Sequence, residues 1–124
     1  MKVISPSTHG ALDYLIIIFL WASPTLFVLS GDVARYTYLL GLVHLVLTLI
    51  TNSSAGIFRF ISMTVHGVIE LLVAIGLIIL SFTVLQYDER GHNFYLWFGV
   101  ALLVIVVITD YAYQKPVRTP HVTA

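Results

Sequence analysis

The sequence predicts an all-α membrane protein, four transmembrane helices arranged as two tandem helical hairpins, and three observations carry that prediction. Of 124 residues, 59% are hydrophobic and 10% charged, with a mean hydropathy of +0.97, whereas an ordinary soluble domain has about 25% charged residues. Six basic and six acidic side chains cannot cover the exterior of a water-soluble fold of this length, so the exterior faces lipid. The apolar residues also fall into four runs near the length of about 20 residues that crosses a bilayer as a helix. Finally, the second half of the chain repeats the first.

The first span is expected from about Ser7 to Leu29 and the second from about Ala34 to Ile50. Ser30-Gly31-Asp32 forms the turn between them, its Gly suiting a helix C-terminus. The third span is expected from about Ser62 to Leu85 and the fourth from about Asn93 to Tyr113, joined by the polar segment Gln86 to His92. Between the hairpins, Thr51-Asn52-Ser53-Ser54-Ala55-Gly56 is a polar break and Ile57-Phe58-Arg59-Phe60 reads as an interfacial step. The chain is therefore read as a single domain over 1–124, with repeat 1 over about 1–55, repeat 2 over about 56–113 and a flexible tail over 114–124.

Trp97, Tyr36, Tyr38, Tyr95, Tyr111 and Tyr113 fall near the span boundaries, where amphipathic rings favour the headgroup level. Gly41, Gly67, Ala74, Gly76 and Gly99 are expected at helix–helix contacts, because small residues let helices approach closely in lipid. Pro24 removes one intrahelical bond near the end of the first span, so a kink is expected there.

Lys2, Arg59, Lys115 and Arg118 fall on one side of the membrane, while Arg35 and Arg90 fall on the other with Asp32, Asp88 and Glu89. The positive-inside rule then gives a multi-pass protein of the inner cell membrane with both termini cytoplasmic. The first apolar run is too long for a signal peptide and follows a lone Lys2, so the first helix is expected to stay in the mature protein. The absence of Cys excludes disulfides and thiolate metal sites. Zero formal net charge and no basic run exclude nucleic acid as a partner. The expected partners are the lipid bilayer and, through the small-residue faces, a second copy or another membrane protein.

Sliding the chain by 57 positions lays Lys2, Ser5, His9, Gly10 and Asp13 on Arg59, Ser62, His66, Gly67 and Glu70. One further residue of offset aligns Gly41 with Gly99, Thr51 with Thr109 and Asn52 with Asp110. A repeat containing an even number of spans keeps its orientation, which implies a pseudo-twofold axis along the membrane normal.

The run Ser7-Thr8-His9-Gly10-Ala11-Leu12-Asp13-Tyr14, followed by Ala22-Ser23-Pro24, resembles the first repeat of small bacterial SPW-repeat membrane proteins. Gly56-Ile57-Phe58-Arg59 through His66 resembles the start of the second, so the likeness covers nearly the whole chain. The name-giving Ser-Pro-Trp reads Ser23-Pro24-Thr25 here, and the second copy has Leu80-Ser81-Phe82 without Pro. The resemblance implies a four-helix integral membrane protein and carries no activity with it.

His9 with Asp13, and His66 with Glu70, stand at i and i+4, so each pair shares a helix face. Ionisable groups within spans mark pathways or sites, and two His with two carboxylates have the ligand inventory of a metal site in a bundle core. The same pairs also serve as polar glue between helices, the reading given most weight. His44 lies near the centre of the second span with Leu102 at its repeat position. It is expected to hydrogen-bond across helices, to Ser81 or Glu70, with haem ligation by His44 and His66 as an alternative. Asp110 reads as an interfacial acid. No nucleophile triad or phosphate loop is present, which excludes a soluble-type enzyme. The leading reading is a non-enzymatic structural or interaction module with no cofactor. The alternatives are proton- or ion-coupled transport through His9, Asp13, His66 and Glu70, and a metal- or haem-binding module.

Overall fold

The computed structural model describes residues 2–112, so the expectations for Tyr113, Lys115, Arg118 and the tail lie outside the described residues. The chain forms α1 (Pro6–Leu26), α2 (Gly31–Ile50), α3 (Met63–Phe82) and α4 (Glu89–Ile108). All four are long and apolar enough to cross a membrane.

The starts follow from capping. Ser5 accepts from the Thr8 N–H with Pro6 in the first turn, and Ser62 accepts from the Val65 N–H, the arrangement that satisfies orphan amides at helix N-termini. Asp88 accepts from the Gly91 N–H, which opens α4 four residues earlier than the hydropathy pattern suggests.

The ends correct three expectations. α1 stops at Leu26, shortly after Pro24, and the Leu29 N–H closes the turn on the Pro24 carbonyl at 3.1 Å. The left-handed residue of that closure is Val28 at φ 52°, not Gly31, which instead opens α2. Leu29 then turns into the core while Ser30 adopts the extended backbone that leads into α2. α3 stops at Phe82, where Thr83 leaves the helix and the Leu85 N–H bonds to the Leu80 carbonyl at 3.1 Å. α4 stops at Ile108 because Thr109 leaves the helix to pair in parallel with Ile4, as Thr51 pairs with Ile61 after α2. The Val3 N–H bonds to the Ile108 carbonyl at 2.7 Å, and the Phe60 N–H bonds to the Ile50 carbonyl at 2.7 Å. These short crossings tie the start of each hairpin to the end of the other.

α1 packs chiefly on α2, and α3 on α4. Leu15, Ile18, Leu39, Leu72, Ile79 and Val104 are among the large apolar side chains left outward, as lipid-facing surfaces require. The apolar interior, Leu20, Leu29, Val33, Ala74, Leu77, Phe94, Tyr95, Phe98 and Leu102, fills the half of the bundle nearest the two hairpin turns. Gly99 lies against α3 so closely that a Cβ there would stand 3.1 Å from the Ala74 carbonyl oxygen, whereas Gly76 faces open space and is not a contact residue. Tyr95, expected at the headgroup level, is buried in this core with its hydroxyl 2.7 Å from Thr37 Oγ1.

Candidate metal centre

The other half of the interior, toward the chain's start, is polar. His9 and Asp13 from α1, His44 from α2, and His66 and Glu70 from α3 are all buried, four of them at 1% exposure or less. The helical spacing brings His9 Nε2 to 3.2 Å from Asp13 Oδ1, and His66 Nε2 to 3.2 Å from Glu70 Oε1. The packing of α1 on α3 then crosses the pairs: His9 Nε2 lies 2.8 Å from Glu70 Oε2, and His66 Nε2 lies 3.2 Å from Asp13 Oδ2. His44 joins them, with its Nε2 at 3.3 Å from Asp13 Oδ1 and 3.2 Å from Glu70 Oε1. Ser81, the other expected partner of His44, bonds to the Ile78 carbonyl instead.

Two threonines fix the imidazoles. Thr109 Oγ1 donates to the Ile105 carbonyl and Thr51 Oγ1 donates to the Leu47 carbonyl, each at 2.6 Å. A hydroxyl has one proton to give, so each threonine must accept from the imidazole beside it. His9 Nδ1–H therefore donates to Thr109 Oγ1 at 2.8 Å, and His66 Nδ1–H donates to Thr51 Oγ1 at 2.7 Å. Both tautomers are set, and in each ring Nε2 is the nitrogen left for chemistry.

Those nitrogens are close to the carboxylates but not aimed at them. Among the described residues, His9 Nε2, His66 Nε2 and both Glu70 oxygens are buried and make no hydrogen bond of acceptable geometry. Proton-mediated pairing would align each N–H with its oxygen. One ligand atom from each of His9, Asp13, His66 and Glu70 lies within 4.8 Å of all the others, a grouping able to hold a metal ion. Bonds of about 2.1 Å around one ion set neighbouring N and O ligands about 3.0 Å apart at right angles and about 3.4 Å apart in a tetrahedron; the separations across the two helices are 2.8 Å and 3.2 Å, a range that hydrogen bonds share. His44 differs, because its contact with Asp13 Oδ1 has hydrogen-bond geometry. It lies outside the tight four-residue set and orients the carboxylates from α2.

A haem between His44 and His66 has no room. Both Nε2 atoms lie 3.2 Å from the same Glu70 oxygen, so no porphyrin plane passes between them.

Thr51, Thr109 and Tyr111 were not expected at the site. The signal for the threonines was present, since they align with each other in the repeat. Tyr111, expected as an interfacial aromatic, lies edge-on to the His9 ring with centroids 5.6 Å apart. Its hydroxyl oxygen is buried and unpartnered. Thr109 Oγ1 is the acceptor beside it: it donates to Ile105 and accepts from His9, which leaves it one lone pair toward the phenol, though the two hydroxyls are not in hydrogen-bond geometry. Burial and the negative charge of Glu70 push the Tyr111 phenol well above its ordinary pKa, so it remains a donor. Asp110 closes the turn after α4, accepting from the Ala112 N–H at 3.1 Å.

Comparison with protein-family models, with curated proteins and with solved structures gave no match for this chain.

Proposed function

We propose that this protein is a membrane-embedded transition-metal site, in which His9, Asp13, His66 and Glu70 hold one divalent first-row ion and His44 positions the two carboxylates. The carrying observation is that two imidazole nitrogens and both Glu70 oxygens are buried, convergent and without hydrogen-bond partners. A role as polar glue accounts poorly for this, since interhelical polar contacts contribute about 0.6–2 kcal/mol. Two buried carboxylates cost several kcal/mol each unless a cation compensates them, either a metal ion or the imidazoliums of His9 and His66, whose Nε2 atoms lie 2.8–3.2 Å away. The mixture of imidazole and carboxylate donors, with no sulfur, suits Zn, Fe(II), Co(II) or Mn(II) better than Cu(I), Mg or Ca. The fixed Nδ1–H tautomers supply the second-shell support that metal-binding histidines ordinarily have.

The two hairpins form a pseudo-twofold bundle, with α1 and α3 each supplying one His and one carboxylate. Lys2 and Arg59 at the site's end support a position near the cytoplasmic face. Elemental analysis gives the identity of the ion. The test is metal content and affinity in detergent-purified protein. One equivalent of a first-row ion per chain, lost on Glu70→Gln while helicity and monodispersity persist, supports the reading. Wild-type protein that takes up none of Zn, Fe(II), Co(II) or Mn(II) refutes it, and loss of proton flux in the same variant in vesicles would point to a proton relay.

A further inference from the structure

Tyr111 offers a buried hydrogen-bond donor that has no partner among the described residues. Its ring is wedged between the His9 imidazole and Gly67, where a Cβ would stand 2.6 Å from Tyr111 Cζ. Gly67 directly follows His66, and the missing side chain makes the space that the phenol end occupies. At the position related by the repeat, Gly10 faces the methyl group of Ala55, so the donor exists on one side of the site alone. The other phenol nearby, Tyr14, is spent on the Ala55 carbonyl at 2.6 Å. Leaving a donor buried and unpaired costs about 1–3 kcal/mol, a cost that a ligand accepting from it would remove. Four protein ligands also leave coordination positions vacant on an ion that favours five or six.

We propose that Tyr111 is the hydrogen-bond donor to a small anionic ligand, of hydroxide or azide size, bound to the metal as a non-protein ligand on the His9–Gly67 side. This rests on the metal reading above and names the ligand that would complete the coordination. Gly67 belongs to the same device, since a side chain there would clash with the phenol ring. The arrangement favours an ion that keeps an exchangeable position, the property that separates a reactive centre from a closed structural one.

The test uses the full chain loaded with Co(II), whose visible spectrum reports coordination, titrated with azide. Azide should perturb the wild-type spectrum, and its affinity should fall about tenfold, the loss of roughly one hydrogen bond to a charged group, in both Tyr111→Phe and Gly67→Ala. Co(II) affinity in Tyr111→Phe should be unchanged, and azide affinity in Tyr14→Phe should match the wild type. Without metal, Tyr111→Phe should be no less stable than the wild type, because no internal hydrogen bond is lost. Equal azide affinity in Tyr111→Phe and wild type, no azide response at all, or a metal-free Tyr111→Phe as destabilised as Tyr14→Phe would overturn the assignment while leaving the metal site standing. Failure of the wild type to bind Co(II) would overturn both.

Discussion

The two halves of the bundle interior solve the problem of holding helices together in lipid by opposite means. Toward the hairpin turns the interior is apolar and interlocked, with Phe94 and Phe98 stacked at 5.9 Å and Gly99 pressed on Ala74. Toward the chain's start it is ionisable, with five His and carboxylate side chains facing one another. Lipid offers no hydrophobic drive for helix association, so the first half holds by close packing. The second half holds only if its charges are compensated. Packing is therefore separable from function along the membrane normal, and substitutions in each half should have different signatures.

The largest effect expected from the packing half is that of Leu20→Ala. Leu20 is fully buried and lies two helical turns from Asp13, roughly 10 Å along α1 at 1.5 Å per residue. The cavity should destabilise the fold by about 3 kcal/mol, measured by reversible unfolding in mixed micelles, with metal stoichiometry unchanged. Loss of metal in a folded Leu20→Ala protein would mean that the halves are mechanically coupled.

A smaller effect is expected at the threonines that fix the imidazoles. Thr51→Val and Thr109→Val keep side-chain volume but remove the acceptor of His66 Nδ1–H and His9 Nδ1–H. Each should weaken metal binding by about 10–100-fold, the usual range for lost outer-shell partners. Because the two threonines serve different ligands, the losses should combine in the double variant. Isothermal titration with Zn or Co(II) checks this, and an unchanged affinity in both would show that the tautomers are set by something else.

The same contrast explains what the sequence made legible. Four spans and their order follow from hydropathy alone, because the cost of unpaired backbone in lipid leaves few other structures. The His9–Asp13 and His66–Glu70 pairs were legible because helical periodicity is local and the repeat states it twice. That both pairs converge on one point is a tertiary fact, and so is the arrival of His44, which has Leu102 at its repeat position and no local signature. Helix ends were less legible than spans. Hydropathy does not see Asp88 capping α4, nor the pairing of Thr109 with Ile4 that ends it. Tyr95 and Tyr111 show the limit of boundary arguments: both fall where interfacial aromatics belong, yet one is buried against Thr37 and the other lies beside His9.

The smallest effect concerns a threonine in the apolar half that is built like the two at the site. Thr37 Oγ1 donates to the Val33 carbonyl at 2.7 Å, so it accepts from the Tyr95 hydroxyl at 2.7 Å, just as Thr51 accepts from His66. The local device is the same in both halves, and the difference lies in what it holds. Thr37→Val should orphan the Tyr95 hydroxyl and cost about 0.6 kcal/mol, the average for side-chain hydrogen bonds within a membrane, and no more than about 1.7. Tyr95→Phe added to Thr37→Val should recover part of that loss, because removing both partners is cheaper than stranding one. Neither change should alter metal affinity. A shift there comparable to that of Thr51→Val would show that the α2–α4 contact at the hairpin end sets the position of His44, and that the division of the interior into two independent halves is wrong.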